Sequence, residues 1–258
     1  RHLDIGSAKP DAATLARYPH ALVDITDPAT PYSAADFVRD ARAAIDAAVS
    51  EGRLPVLVGG TGLYFRALTQ GLSALPESDP EVRQALEATL RAEGLGALHA
   101  RLARLDPVAA ARIHPNDPQR TIRALEVISL TGQPISAQQG HRRPDLPVRL
   151  VKFVVCPANR AVLHDRIAVR FRAMLETGLL DEVRGLRARP GIRADLPAMR
   201  AVGYRQALDA LEGRMSMDEL ADRGIFATRQ LAKRQLTWLR SEFDASWLDS
   251  TADRFRDT

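Results

Sequence analysis

Cysteine and long apolar runs are both scarce in this sequence, and each absence excludes a class of protein. Cys156 is the one cysteine among 258 residues, so neither an internal disulfide framework nor a zinc site built from several cysteines is available. No apolar run approaches the roughly 20 residues that cross a bilayer, and we expect no membrane partner. A single cysteine also suits a reducing compartment, which favours a cytoplasmic protein.

Lysine is nearly absent from the cations. The sequence has 36 lysines and arginines, of which only Lys9, Lys152 and Lys233 are lysines, and its net charge is +4. Arginine binds phosphate oxygens through two parallel hydrogen bonds, so this bias favours a phosphate or nucleic-acid partner. An arginine-rich coding bias explains the composition equally well, and composition alone leaves both explanations open.

Strand and helix signals alternate at the start of the chain. Ala21–Ile25 and Leu54–Val58 are apolar runs of strand length, and a capping pattern at Ser33 opens a helix that ends near Gly52. Continuous apolar runs are typical of parallel strands covered on both faces. Strand, helix and strand in this order predict an α/β fold.

The same pattern returns after a helical stretch. Val148–Cys156 predicts another strand, followed by helices at about 160–176, 199–211 and 216–240. The stretch between the two patterns predicts helices at Glu81–Arg91, Leu95–Leu105 and Pro118–Leu130, and a polar linker at Gln138–Pro147. We therefore predict an α/β core over 1–76 and 146–258, with an all-helical insertion over 77–145.

Two features could bind phosphate. Gly59, Gly60 and Thr61 follow a predicted strand and precede a helix, where backbone N–H groups can approach an anion. A tight turn with a threonine cap fits this pattern as well. Arg170 lies beside the apolar face of its helix and needs an anionic partner, since burying an unpaired charge is costly. That partner is either a phosphate or diphosphate ligand or an internal carboxylate.

Two helix faces could contact nucleic acid. Gln119, Arg120 and Arg123 share one face, which suits phosphate and base contacts as well as a plain solvated surface. The last predicted helix places basic side chains in a stripe beside its apolar face, a pattern that favours a polyanion. That stripe consists of Arg229, Lys233 and Arg240.

The segment Met199–Gln206 combines one aromatic side chain with two arginines. Tyr204 between Arg200 and Arg205 suits stacking on an unpaired base together with phosphate contacts. The start of an ordinary amphipathic helix explains the same residues.

Short blocks occur in a fixed order through nearly the whole chain. They are Leu3–Pro10, Asp24–Pro28, Tyr32–Phe37, Val58–Tyr64, Arg112–Arg120, Ala124–Val127, Val202–Gln206, Thr228–Gln235 and Thr237–Arg240. Together they resemble the tRNA dimethylallyltransferase (tRNA isopentenyltransferase) family. The resemblance implies a P-loop NTPase-like parallel-sheet core with an inserted all-helical domain.

The resemblance also implies an activity. A dimethylallyl group would pass from dimethylallyl diphosphate to the exocyclic amine of the adenosine 3′-adjacent to the tRNA anticodon. Mg²⁺ would help to neutralise the diphosphate, and tRNA would bind through its anticodon stem-loop. We further expect the protein to be a monomer.

Residue roles follow from the matched positions. Thr61 would lie near the reacting adenine, and Arg170 would bind the diphosphate and stabilise it as it leaves. Gly59 and Gly60 would help to bind the diphosphate. Contacts with tRNA would come from Thr61 and from Arg83, Gln119, Arg120, Thr121, Ile122, Arg123, Arg200, Ala201, Val202, Gly203, Tyr204, Arg205, Lys233, Arg234, Gln235, Thr237, Trp238 and Arg240.

The family pattern starts earlier than this sequence does. The family opens with a strand, a phosphate loop ending Gly-Lys-Thr or Gly-Lys-Ser, and a catalytic aspartate just before the match at Leu3–Gly6. None of these precedes Arg1, and no initiator methionine is present. We therefore expect a fragment that, as written, lacks activity. A non-catalytic tRNA-binding fragment or paralogue is the alternative to the transferase.

Overall fold

A computed structural model describes residues 1–73, 75–138, 140, 146 and 148–252. The chain divides into two compact units, one formed by Arg1–Phe65 with Val148–Thr258 and the other by Arg66–Pro147. The domain limits expected from the sequence stay a prediction. In chain order the elements are α1 (Ala12–Arg17), α2 (Ala34–Ser50), α3 (Gly62–Gln70), α4 (Pro80–Leu105), α5 (Pro107–Arg112), α6 (Pro118–Thr131), α7 (Ile135–Gln138), β1 (Phe153–Cys156), α8 (Arg160–Glu176), α9 (Leu179–Arg187), α10 (Tyr204–Leu211), α11 (Met217–Leu239) and β2 (Ser246–Asp249).

The first unit combines a small parallel sheet with helices. β1 pairs with β2 in parallel, with Phe153 opposite Ser246 and Cys156 opposite Asp249. Parallel strands need a crossover connection, and the helices α8 to α11 supply it. The α/β class expected from the sequence is confirmed at this level.

The core of the first unit lies where α8 to α11 pack together. Phe171 of α8 is buried in one cluster with Val183 of α9 and Ile225 of α11. Gly224 allows α11 to approach α8 closely, because a Cβ atom at this position would collide with the Phe171 ring. A capping box at Ser216 starts α11, which confirms the helix predicted at about 216–240.

Two predicted strands are wrong. Ala21–Ile25 forms turns, since Leu22 and Asp24 adopt left-handed backbone with φ of 63° and 56°, which a strand cannot contain. Leu54–Val58 is irregular, and alternate side chains in it are exposed, Leu54 by 87%. Within the described residues no strand pairs with this segment. An apolar run indicates that a strand could form, but pairing requires a neighbour.

Two other elements are shorter than expected. The strand predicted over Val148–Cys156 is limited to β1. The helix predicted from Met199 starts only at Tyr204, because Gly203 before it has φ of 93°, outside the helical region. α8 matches the predicted range 160–176.

The second unit, described by itself, contains the helices α4 to α7. Leu98 and Leu102 of α4 pack with Leu125 of α6 in its core. The two helices predicted over 81–91 and 95–105 are the two parts of α4, which breaks at Gly94 with φ of 82°. Asp117 caps α6, which confirms the helix predicted from Pro118.

Of the predicted linker 138–147, residues 139, 141–145 and 147 lie outside the described residues. Among the helices in the described part of the chain, none is both long enough and apolar enough to cross a membrane.

Candidate active site and nucleic-acid interface

Two neighbouring cavities mark the first unit. The larger has a volume of about 570 Å³ and is lined by Lys9 and Arg170 together with Asp4, Asp11 and Asp24. The smaller measures about 470 Å³ and has aromatic and proline walls that include Tyr32 and Tyr64. Ala8, Lys9, Pro10 and Asp24 line both cavities. We call the larger one the Arg170 cavity and the smaller one the tyrosine cavity.

Arg170 reaches its cavity because of its position on α8. Its neighbours Ile167 and Phe171 are buried in the core, which leaves Arg170 exposed on the flank of the helix. It forms no ion pair or hydrogen bond with any residue that the structure describes. Of the two partners that the sequence allowed, an internal carboxylate is therefore not found among the described residues, where the guanidinium is available to an anion.

Lys9 forms the wall between the two cavities. Its Nζ donates to both carboxylate oxygens of Asp24, at 2.9 and 2.8 Å, and also pairs with Asp4. The hydrogen bonds to Asp24 and Asp4 raise the pKa of Lys9, and the bond from Lys9 lowers the pKa of Asp24. The lysine is consequently an ion-paired cation on the cavity wall that Arg170 also lines. Sequence reasoning matched the block around Lys9 but assigned it no role.

A carboxylate far away in sequence holds the turn that carries Lys9. Glu182 of α9 accepts backbone N–H groups of Asp4 at 2.9 Å, Ile5 at 2.7 Å and Gly6 at 3.2 Å. Tyr204 donates its hydroxyl to the same carboxylate at 2.6 Å. A Cβ atom at Gly6 would lie 2.6 Å from the Tyr204 ring, so only glycine fits there. No sequence signal relates Glu182 to this turn, since 176 to 178 positions separate them.

Tyr204 does not have the surface position that stacking on a base requires. It is 1% exposed, and burial followed by its bond to Glu182 raises the pKa of its hydroxyl. The interpretation of Tyr204 as a stacking side chain is wrong, because the helix that begins there turns the ring into the core. Gly203 is buried as well, Ala201 and Val202 are half-buried, and Arg200 and Arg205 are exposed.

The turn at Gly59–Thr61 lies outside both cavity linings. Gly59 and Thr61 are exposed, while Gly60 accepts a hydrogen bond from Gln235 of α11 at 3.1 Å. Tyr64, three residues after Thr61, does line the tyrosine cavity. Geometry thus keeps the turn open to an anion without bringing it to Arg170.

Trp238 packs against this turn from α11. A Cβ atom at Gly62 would lie 2.7 Å from its indole ring, and the ring stacks with Phe65 at 6.3 Å between centroids. The indole Nε1 is buried without a hydrogen-bond partner among the described residues. Packing therefore accounts for much of the indole surface.

Basic side chains in the C-terminal half of α11 and at its C-cap, Arg240, divide into two groups. Lys233, Arg234 and Arg240 are exposed, as is Thr237, whose hydroxyl donates to the Lys233 carbonyl at 2.9 Å. Arg229 is half-buried, and its Nη2 donates to the His164 carbonyl at 3.5 Å. An open cationic surface thus remains at Lys233 and Arg240.

In the second unit, Arg123 is tied to a buried carboxylate. Its Nη1 donates to Glu126, which is fully buried, at 2.7 Å, and its Nη2 donates to the Pro76 carbonyl at 2.6 Å. Glu126 also accepts from Ser78 at 2.5 Å and from the Asp79 N–H at 3.1 Å. These bonds give Arg123 a structural role within the unit.

The other predicted contacts in this unit differ in accessibility. Gln119 and Arg120 are exposed, and Arg120 lies 3.6 Å from Asp117. Arg83 pairs with Glu87 at 3.1 Å. The side chains of Thr121 and Ile122 are buried in the core and face away from solvent. Any role of these residues toward tRNA stays a prediction.

Comparison with known proteins points in one direction. The model of the family described as "IPP transferase" matches residues 1–242. A curated "tRNA dimethylallyltransferase" of Stenotrophomonas maltophilia (strain K279a) is 58% identical over 98% of this chain and 82% of its own length. Another from Xylella fastidiosa (strain M23) is 55% identical over 99% and 83%, respectively.

Solved structures agree with the sequence matches. A tRNA isopentenylpyrophosphate transferase of Bacillus halodurans is 41% identical, with a TM-score of 0.66 over 96% of this chain and 77% of that one. A eukaryotic dimethylallyltransferase, described as acting on tRNA, has a TM-score of 0.78 at 24% identity over 98% and 65%. The latter likeness concerns the fold.

Proposed function

This chain belongs to the IPP transferase family, and on that premise we propose that it transfers a dimethylallyl group from dimethylallyl diphosphate to tRNA. The observation that supports this most directly is Arg170, which pairs with no described residue and lines a cavity of a chain that matches the family over residues 1–242. The acceptor we propose is the exocyclic amine of the adenosine 3′-adjacent to the anticodon. Because its substrate is tRNA, we propose that the protein is cytoplasmic. We also propose that it is a monomer.

Charge at the leaving group sets the requirement for Arg170. When the bond from the allylic carbon to oxygen breaks, the diphosphate gains negative charge, and a new carbon–nitrogen bond forms to the adenine amine, which loses a proton. A guanidinium aimed at the departing oxygens stabilises this charge where it develops. Because no described carboxylate pairs with Arg170, its full charge can be directed at the substrate.

The purine amine is a weak nucleophile and is stacked inside the tRNA loop. The adenine has to leave the stack to reach the allylic carbon, and the site has to align it. Exposed Lys233 and Arg240 on α11 suit binding of the tRNA backbone. Thr61 near the adenine and Gln119 and Arg120 on the anticodon stem-loop remain proposals taken from the family resemblance.

Mg²⁺, which the family implies, finds no ready protein site in the described residues. Asp4 and Asp24 line the Arg170 cavity, and Lys9 already pairs with both carboxylates. No group of three His, Cys, Asp or Glu side chains in the described part of the chain could hold a metal. We therefore derive no step through Mg²⁺ and propose only that it accompanies the diphosphate.

Mass analysis of nucleosides tests the proposal. The full-length protein is incubated with dimethylallyl diphosphate, Mg²⁺ and an unmodified tRNA that has adenosine 3′ of the anticodon. We expect prenylated adenosine, and none with a tRNA that has guanosine at this position. Arg172 is an exposed arginine on the same helix as Arg170, and the control variant Arg172→Ala should leave the yield unchanged. Tight tRNA binding without product would favour the non-catalytic alternative.

A further inference from the structure

Lys9 places a positive charge on the wall of the Arg170 cavity, where an anionic ligand could bind it. The wall of this cavity carries two cations, Lys9 and Arg170, and three carboxylates, Asp4, Asp11 and Asp24. The carboxylates therefore outnumber the cations by one. A polyanion entering this space needs every cation that the wall can offer, and Arg170 alone cannot balance a diphosphate.

From this arrangement we propose that Lys9 is a second diphosphate-binding cation, held between Asp4 and Asp24 until the substrate enters. The proposal rests on the function proposed above and deepens it. The ammonium needs to move only from one set of oxygens to another, because Lys9 lines the cavity already. Its side chain is 18% exposed, so part of it is accessible in the cavity that it lines.

Backbone placement supports this role. Glu182 and Tyr204 fix the turn at Asp4–Gly6, and the Lys9 N–H donates to the Asp4 carbonyl at 2.9 Å. The residue before Lys9, Ala8, has φ of 51°, a left-handed conformation that an alanine adopts at a cost. A turn that is fixed this firmly holds the lysine stem in place and leaves only its ammonium free to change partners.

An ordinary structural tie is the competing explanation. Lys9 would then serve only to connect Asp4 and Asp24, and removal of either partner would have the same consequence. The two explanations predict opposite changes in pyrophosphate affinity for Asp24→Asn. If Lys9 is only a structural tie, the change weakens the tie and binding does not improve. If Lys9 binds the diphosphate, the change releases its ammonium from a competing carboxylate and removes a negative charge from the cavity, so binding tightens.

Binding of inorganic pyrophosphate to the full-length protein, measured by calorimetry, separates them. We expect Lys9→Met to weaken binding by about ten- to a hundredfold, since a charged hydrogen bond is lost, and Lys9→Arg to retain most of it. Asp24→Asn should tighten binding by about two- to tenfold. In catalysis, Lys9→Met should raise the KM for dimethylallyl diphosphate, with the Kd for tRNA unchanged.

The chain offers a matched control. Lys152 also lies between two carboxylates, Glu242 at 2.9 Å and Asp244 at 3.0 Å, away from both cavities. Lys152→Met and Asp244→Asn should leave pyrophosphate binding unchanged. Weaker binding by Asp24→Asn, or wild-type binding by Lys9→Met, would overturn the proposal.

Two safeguards keep the outcomes distinct. If Lys9→Met does not fold, the pyrophosphate affinities of Lys9→Arg and Asp24→Asn still distinguish the two explanations. Pyrophosphate binding does not depend on turnover, so failure of the wild-type protein to prenylate tRNA contradicts the proposed function and leaves this test readable.

Discussion

Two arginines predicted to bind ligands ended in opposite situations. In the second unit, called the helical unit below, the Arg123 guanidinium donates to the buried carboxylate of Glu126 and to the Pro76 carbonyl. In the first unit, which contains the parallel sheet, Arg170 is exposed at a cavity and pairs with no described residue. The comparison teaches that an arginine becomes available to a ligand when the fold gives it no carboxylate, and that the residue type alone does not decide this.

The largest effect expected from this comparison is on the stability of the helical unit. Glu126→Ala leaves Arg123 without its carboxylate and removes the acceptor of Ser78 and Asp79, so we expect a loss of about 3–5 kcal/mol in the free energy of unfolding. Urea denaturation followed by circular dichroism measures it. Glu93→Gln, an exposed glutamate on α4, serves as the control and should change stability by less than about 0.5 kcal/mol. An equally small loss in Glu126→Ala would contradict the structural role of the pair.

Arg170→Ala tests the opposite member. Its guanidinium stabilises no described partner, so the unfolding free energy should stay the same while kcat/KM for dimethylallyl diphosphate falls by about a hundredfold. The Kd for tRNA should change little. Parallel losses in tRNA affinity and in diphosphate use would argue against the assigned role. Arg172→Ala again provides the reference.

A second buried carboxylate in the helical unit predicts a pH dependence. Burial opposes the charged form of Asp106, but hydrogen bonds from Ser136 and Ala109 outweigh it and lower the pKa of Asp106. Because the folded pKa lies below the unfolded value, the stabilisation is present above the unfolded pKa of about 4 and is lost as pH falls through the folded pKa.

Urea midpoints measured at neutral and at acidic pH check this prediction. Asp106→Asn should lower stability at pH 7 by about 1–3 kcal/mol and flatten the acidic part of the profile. An unchanged profile in the variant would show that other carboxylates carry the acid sensitivity.

The smallest expected effect concerns the open basic surface of α11. Lys233→Ala and Arg240→Ala should each reduce the slope of log K for tRNA against log salt by roughly one, because each side chain replaces one phosphate counterion. Filter binding over a range of salt concentrations gives the slope. Half-buried Arg229 donates to the His164 carbonyl and should contribute less. Equal slopes in wild type and both variants would leave this face merely solvated.

Local signals predicted much of the helical structure correctly. The capping pattern at Ser33 predicted a helix start that the structure confirms, and Asp117 and Ser216 cap two further predicted helices, because a cap acts on backbone groups within a few residues. The strand at Leu54–Val58 failed for the opposite reason. A strand needs a hydrogen-bonded neighbour, and no local pattern states whether one is present.

The candidate site could be predicted only in part. The place of Arg170 beside an apolar face made it a candidate phosphate ligand, and Arg170 lines the larger cavity. Its role toward diphosphate stays a prediction. Tyr204 failed, since an aromatic between arginines suits either stacking or a helix that turns the ring inward. Lys9 and Glu182 could not be assigned from spacing, because their partners lie on other elements.

The sequence by itself determined where capped helices such as α2 and α11 begin, which blocks occur in which order, and hence the family to which the chain belongs. Only the tertiary structure decided which charged side chains form internal ion pairs and which remain available to a ligand. Hydrogen bonding and burial pair groups that are distant along the chain, as Glu182 and Ile5 are at 177 positions apart. Because the cost of an unpaired charge depends on that pairing, the availability of Arg170 and the confinement of Arg123 are properties of the fold.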